Sequence, residues 1–170
     1  GFELYCRLLE QTVKEMQGED APSDFSATIN LNLDIRIPED YVPNMNHRLM
    51  LYKRIASIQS EDQINSIRDE IQDRFGMIPE VVENLLKYGV IKLKAEKLKI
   101  RSIDHSDGTI FLQLSEQGPI KTDCILAFIR KYKDAKLSPA GVLAYRGEKL
   151  YIPNSLFETL HRLLNELASC

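Results

Sequence analysis

Glu70, Asp73 and Arg74 form the most suggestive cluster of charged side chains in the sequence. They fall in a segment whose apolar residues recur every three or four positions, which predicts a helix. On that helix Glu70 and Arg74 lie one turn apart on one flank, and Asp73 adjoins them. Two interpretations are open: an ion pair within the helix, contributing about 0.3–0.5 kcal/mol, or a charged contact with a partner. Spacing alone favours the ion pair.

A second charged group extends from Lys87 to Arg101, where six basic residues accompany one acid, Glu96. Lys87, Lys94 and Arg101 are seven residues apart, so on a continuous helix they could form a stripe that contacts an anionic partner such as DNA. Lysines beside an apolar stripe, however, usually bury their stems and keep their charges in water. The solvated face is the favoured interpretation, and DNA contact by a helix over 79–99 is the alternative.

Residue types that could support catalysis or bind a metal are not grouped in the sequence. The eight glycines are scattered singly, so no glycine-rich loop with a Lys and a Ser or Thr could cradle phosphates. The histidines lie more than fifty residues apart and have no cysteine neighbours, which gives no zinc spacing: His47, His105 and His161. The run Asp104-His105-Ser106 is no catalytic triad, because successive strand side chains point to opposite faces. We therefore expect no catalytic residue, no metal site and no cofactor in this chain.

The three cysteines, Cys6, Cys124 and Cys170, are an odd number and lie far apart in the sequence. They predict neither a disulfide framework nor a C-x-x-C metal pair. Reduced, partly buried thiols are the expectation.

The composition is that of an ordinary globular domain. The 170 residues are 44% hydrophobic and 28% charged, and this length supports one hydrophobic core. The formal net charge is −3, whereas a dedicated nucleic-acid module usually carries a marked basic excess. No stretch approaches the roughly 18 consecutive apolar residues of a membrane span, and no signal segment opens the chain. We expect a cytoplasmic protein that does not contact membranes.

The hydrophobic spacing predicts alternating helices and strands. The predicted elements, in order, are helix 2–17, strand 25–37, helices 45–57, 60–75 and 79–99, two hairpin strands around Asp107-Gly108, helix 119–132, strands 134–138 and 141–145, and a last helix from Ser155. Ser60 with Gln63, and Ser155 with Glu158, predict capping boxes. The order α-β-α-α-α-β-β-α-β-β-α predicts an α+β fold with a small, largely antiparallel sheet packed with several helices.

Two longer segments and three shorter ones together resemble one protein family. RLMLYKRIAS at 48–57 and DEIQDRFGMIP at 69–79 are similar to RL-x-x-YKR-(I/L)-A-S and E-L-x-DRFG-x-(L/I)-P of bacterial transcription-repair coupling factors. The shorter matches are GFELY at 1–5, IPEDYVP at 37–43 and the end of KLKI at 97–100. The resemblance covers the chain in order and is most specific over 1–101. Lys99 departs from it, because the family's KLGI has glycine there.

The resemblance implies a C-terminal, non-catalytic regulatory domain. Residues 1–18 would be a connecting helix from an upstream translocase module, since Gly1 leads directly into a helical pattern without an initiator Met, and residues 19–170 would be the domain itself. In the family, the parent protein is an ATP-driven translocase on double-stranded DNA that displaces stalled RNA polymerase and recruits UvrA. ATP and magnesium would belong to that translocase module.

The resemblance also implies a role for the charged cluster. In the family, this domain docks on an N-terminal module that resembles UvrB, covers the surface that UvrA would bind and holds the factor in a repressed state. The family's contact residues correspond to Glu70, Asp73 and Arg74. The contact with a partner, which spacing alone left open, thereby becomes the expected role of the cluster.

Overall fold

The computed structural model describes residues 25–170, which form five helices and a five-stranded sheet in the predicted order. The predicted helix at 1–18, and its boundary with the domain, lie outside the described residues. The elements are β1 (Thr28–Asn30), α1 (Met45–Ala56), α2 (Glu61–Phe75), α3 (Glu80–Lys97), β2 (Ile100–Ser106), β3 (Thr109–Leu114), α4 (Thr122–Lys131), β4 (Ala135–Leu137), β5 (Val142–Arg146) and α5 (Pro153–Ala168).

The sheet has the strand order β1-β2-β3-β5-β4 and is antiparallel except where β1 runs parallel to β2. Asp107 and Gly108 have φ values of +49° and +75°, which suit the two-residue hairpin turn predicted between β2 and β3. Ile103, Leu112 and Leu143 are in register across the three central strands and are buried. The predicted α+β class with a largely antiparallel sheet is confirmed.

The first strand is shorter than predicted. Its ladder covers Thr28–Asn30 instead of 25–37, because Asn32 has φ +54°, a left-handed conformation that ends the extended chain. The Asn32 side-chain amide donates a hydrogen bond to the His105 backbone oxygen at 2.6 Å. Burial nevertheless alternates up to residue 37, as the sequence predicts.

Neither predicted capping box forms. Ser60 is the N-cap residue of α2 but makes no side-chain capping hydrogen bond, and Gln63 Oε1 accepts from the Gln59 N–H at 2.7 Å. Helix α5 begins at Pro153, whose fixed φ suits a first helical turn, so both residues of the second predicted box lie inside the helix.

The described chain divides into two compact units. The helical unit comprises residues 34–93, with α1, α2 and most of α3, and the sheet unit comprises residues 25–33 and 94–170. Buried side chains of α1 to α3 in the helical unit include Leu51, Tyr52, Ile55, Ile64, Ile67, Ile71, Val82, Leu85, Leu86 and Ile91. In the sheet unit, α5 buries five leucines at helical spacing: Leu156, Leu160, Leu163, Leu164 and Leu167.

The expectation of reduced cysteines is wrong for two of the three. Cys124 in α4 and Cys170 after α5 form a disulfide, with Cα atoms 5.6 Å apart. They are 46 residues apart in the sequence, so only the tertiary fold brings them together. Cys6 lies outside the described residues.

Candidate partner-contact face

Helix α2 positions the three residues of the predicted contact. Its apolar residues Ile64, Ile67 and Ile71 are buried, which fixes the rotation of the helix. Asp73 and Arg74 are then exposed. Within residues 25–170, Asp73 makes no hydrogen bond or ion pair, and it is exposed.

The ion-pair partner of Glu70 differs from the one that the helical spacing favours. Its carboxylate forms an ion pair with Arg54 of α1, and not with Arg74 in its own helix. The two side chains are 39% and 42% exposed, so the pair lies at the surface and keeps a face towards solvent. No local pattern points to Arg54 as a partner of Glu70, although Arg54 lies in the YKR segment at 52–54 that supports the family resemblance.

Arg74 stacks on the ring of Phe75, with its guanidinium carbon 5.0 Å from the ring centroid. Phe75 is half-buried, and it also lies near Tyr41 and His47, with ring centroids 6.0 and 6.4 Å away. The Tyr41 hydroxyl donates to the Gly76 backbone oxygen at 2.7 Å, and burial together with the charge of Glu83 raises the pKa of Tyr41. These contacts hold the end of α2 and orient Arg74 outwards.

An open cleft of about 440 Å³ lies beside this cluster. Its lining residues come from the end of α1 and the first half of α2: Arg54, Ser57, Ile58, Asp62, Gln63, Ser66 and Ile67. Arg54 therefore lines the cleft and also holds Glu70. At helical spacing, Gln63, Ser66 and Glu70 lie on one side of α2. The cleft therefore lies next to Glu70, on the side towards the N-terminus of α2. The sequence contains no local signal for it.

The basic residues singled out in the sequence do not form one helical stripe. Lys87 and Lys94 lie on α3, but the helix ends at Lys97, and Arg101 is on β2. Lys94 Nζ is 3.0 Å from His161 Nδ1 and donates to Asn165 Oδ1 at 3.2 Å. The seven-residue spacing therefore does not continue from Lys94 to Arg101 as a helical face.

The remaining candidate side chains occupy structural positions. His105 is buried, and its Nδ1 lies 3.1 Å from the Leu31 backbone oxygen, while Ser106 is exposed. Among the described residues, no group of three or more His, Cys, Asp or Glu side chains could hold a metal ion. Over residues 25–170, no helix has both the length and the apolar character needed to cross a membrane.

The fold defines a class of protein: an α+β domain with a five-stranded sheet and a helical unit that carries a charged outer face. The family model described as TRCF domain matches residues 31–125. Transcription-repair-coupling factors of Rickettsia conorii and Escherichia coli are 35% and 30% identical to this chain, over 97% and 77% of its length. The chain spans only 15% and 12% of those two proteins.

A solved structure shares the fold. The crystal structure of a C-terminal domain of transcription-repair coupling factor matches 85% of this chain and 95% of its own length, with a TM-score of 0.68 and 21% identity. The chain belongs to the transcription-repair coupling factor family, and it has the fold of that C-terminal domain.

Proposed function

We propose that this chain is a non-catalytic regulatory domain that docks on the rest of its own protein and holds it in a repressed state. The docking site is an N-terminal UvrB-like module, and closure masks the surface that binds UvrA. The parent protein is an ATP-dependent translocase on double-stranded DNA that displaces stalled RNA polymerase in the bacterial cytoplasm. The relatives support a longer parent, since this chain covers only about 15% of the length of the first of them.

The observation that carries the proposal is the exposure of Asp73 and Arg74 on a helix whose apolar side is already buried. Arg74 is held against Phe75, so less side-chain entropy is lost when it meets a partner. Charged contacts of this kind give orientation and modest affinity. Modest affinity is sufficient within one polypeptide, because the tether raises the effective concentration of the two halves.

The test measures binding of this domain to the separately produced N-terminal module by isothermal titration calorimetry. We expect Asp73→Lys to weaken binding tenfold or more, because a cation then replaces the carboxylate at the contact. Glu158→Lys is the matched control, since Glu158 is another exposed helical acid and the substitution changes the net charge equally. Equal affinity of the Asp73→Lys protein and the parent domain would show that this face does not dock.

A further inference from the structure

The Cys124–Cys170 disulfide joins the first turn of α4 to the chain just after α5. Cys124 is the third residue of α4, and Cys170 follows the C-cap residue Ser169 of α5. The Cα separation of 5.6 Å lies in the usual range for a disulfide, so the bond forms without moving the backbone. The two cysteines are separated by 46 positions in the sequence, and both lie in the sheet unit.

The two cysteines have opposite environments. Cys124 is 5% exposed, and it lies where the backbone N–H groups of a helix N-terminus favour negative charge on sulfur. Cys170 is exposed. Cys170 is therefore the more accessible residue of the pair, and attack of a thiolate on its sulfur would release Cys124.

We propose that Cys124 and Cys170 are a reversible redox pair, opened by a dithiol reductant and closed by a disulfide oxidant of the same class. In the first step a thiolate of the reductant attacks the Cys170 sulfur, the Cys124–Cys170 bond breaks, and Cys124 leaves as a thiolate. In the second step the other thiolate of the reductant attacks the reductant sulfur that is bonded to Cys170. The mixed disulfide breaks, and Cys170 leaves as a thiolate. Two electrons pass to the protein, which gains two thiols, and the reductant becomes a cyclic disulfide.

Hydrogen bonds of Glu166 also join the end of α5 to α4, and Lys94 bonds to Asn165 beside it. Glu166, in the last turn of α5, accepts hydrogen bonds from the Tyr132 hydroxyl at 2.5 Å and from Lys131 Nζ at 3.1 Å, at the far end of α4. Opening the disulfide leaves α4 and α5 joined by these contacts and by packing. We therefore expect the end of α5 to open locally more often in the reduced protein, while the sheet keeps its structure.

The test equilibrates the 170-residue protein with mixtures of reduced and oxidised dithiothreitol, followed by acid quench, alkylation and peptide mass spectrometry. We expect the thiols of Cys124 and Cys170 to appear together in one two-electron transition of the folded protein. Cys6 provides the matched control, and Cys6→Ser should leave that transition unchanged. Two free thiols in the fully oxidised buffer, or a bond that opens only after denaturation, would overturn the proposal.

A second measurement separates the pair from an inert crosslink. Reduction should lower the melting temperature of the unsubstituted 170-residue protein and of its Cys6→Ser variant by roughly 5–10 °C, since the disulfide restricts the unfolded chain. The same reductant should leave the melting temperature of Cys170→Ser unchanged. Amide exchange over residues 163–170 of the unsubstituted 170-residue protein should become faster on reduction. Equal exchange and equal melting temperature in both redox states would show that the bond controls nothing.

Discussion

Arg54 in α1 and Glu70 in α2 form an ion pair, although 16 residues separate them in the sequence. The Glu70 carboxylate already has the Arg54 guanidinium beside it. Asp73, in contrast, makes no ion pair within the described part of the chain. The cluster therefore contains one carboxylate that is paired with a cation and one that has no ion-pair partner within residues 25–170.

The first prediction tests that ion pair. Glu70→Arg places two cations side by side and should lower the free energy of unfolding by about 0.5–1 kcal/mol, a modest loss because both side chains are partly exposed. Exchanging both charges, with Arg54→Glu and Glu70→Arg together, should recover most of the loss. Urea denaturation of the two single variants and the double variant measures the coupling. Additive losses in the double variant would show that the pair does not form in solution.

The second prediction concerns the packing that positions α2. A Cβ atom added at Gly89 of α3 would lie 2.9 Å from Ile55 Cγ2 and 3.3 Å from the Ile55 backbone oxygen. We expect Gly89→Ala to destabilise the protein by about 1–3 kcal/mol, because a branched side chain and the backbone must move. Urea denaturation measures the change. A gain of stability would mean that alanine's higher helix propensity outweighs this contact.

The third prediction concerns the end of α3, where Lys99 has φ +56°. Glycine takes this left-handed conformation without the penalty of a Cβ atom, which agrees with the glycine that the family resemblance predicts at this position. Lys99→Gly should therefore raise the free energy of unfolding by roughly 1 kcal/mol. Loss of the Lys99 contact with the Phe25 ring should reduce this gain. Lys97→Gly, inside the last helical turn, is the control and should lower it. A loss in both variants would refute the assignment of backbone strain to Lys99.

The helices and the hairpin turn were predictable from the sequence because their causes are local, although neither predicted capping box forms. Spacing of three and four placed the helices, and Asp107-Gly108 placed the hairpin turn with its two positive φ values. Period-two alternation gave the correct buried side up to residue 37. It could not give the length of β1, which is set by the conformation of the single residue Asn32.

Contacts between distant segments were not predictable. Neither Arg54 beside Glu70 nor Cys124 beside Cys170 leaves a periodic signal, because each depends on how whole elements pack. The position of the charged cluster on α2 follows from the apolar stripe, but its proposed role rests on the family resemblance. The cleft lined by Arg54 and Ser66 is likewise visible only in the tertiary structure.

The fourth prediction is a pH dependence at Glu166. Burial raises the pKa of Glu166, but hydrogen bonds from Tyr132 and Lys131 outweigh burial and leave the pKa below its ordinary value. A carboxyl group with a lowered pKa in the folded state contributes stability at neutral pH that is lost as the pH falls through that pKa. Glu166→Gln should thus cost roughly 1 kcal/mol at pH 7 and much less under acid conditions. Urea denaturation from pH 7 down to pH 2.5 measures this, and a cost that does not change with pH would contradict it.

The last prediction tests the proposed repression in the full-length protein. Reversing both exposed charges, with Asp73→Lys and Arg74→Glu, should leave the free energy of unfolding of this domain nearly unchanged, because neither side chain has an ion-pair partner within residues 25–170. Docking should weaken, since like charges would meet across the contact, and the open form should become more populated.

That shift should appear as tighter UvrA binding and higher basal ATPase activity. The Glu70→Arg variant should have a smaller effect, because Arg54 already offsets part of the Glu70 charge. Glu158→Lys with Arg130→Glu is the matched control, since it exchanges the same charges at exposed positions of α5 and α4. A doubly reversed protein that binds UvrA no better than the control, with an unchanged melting temperature, would mean that α2 does not hold the factor closed.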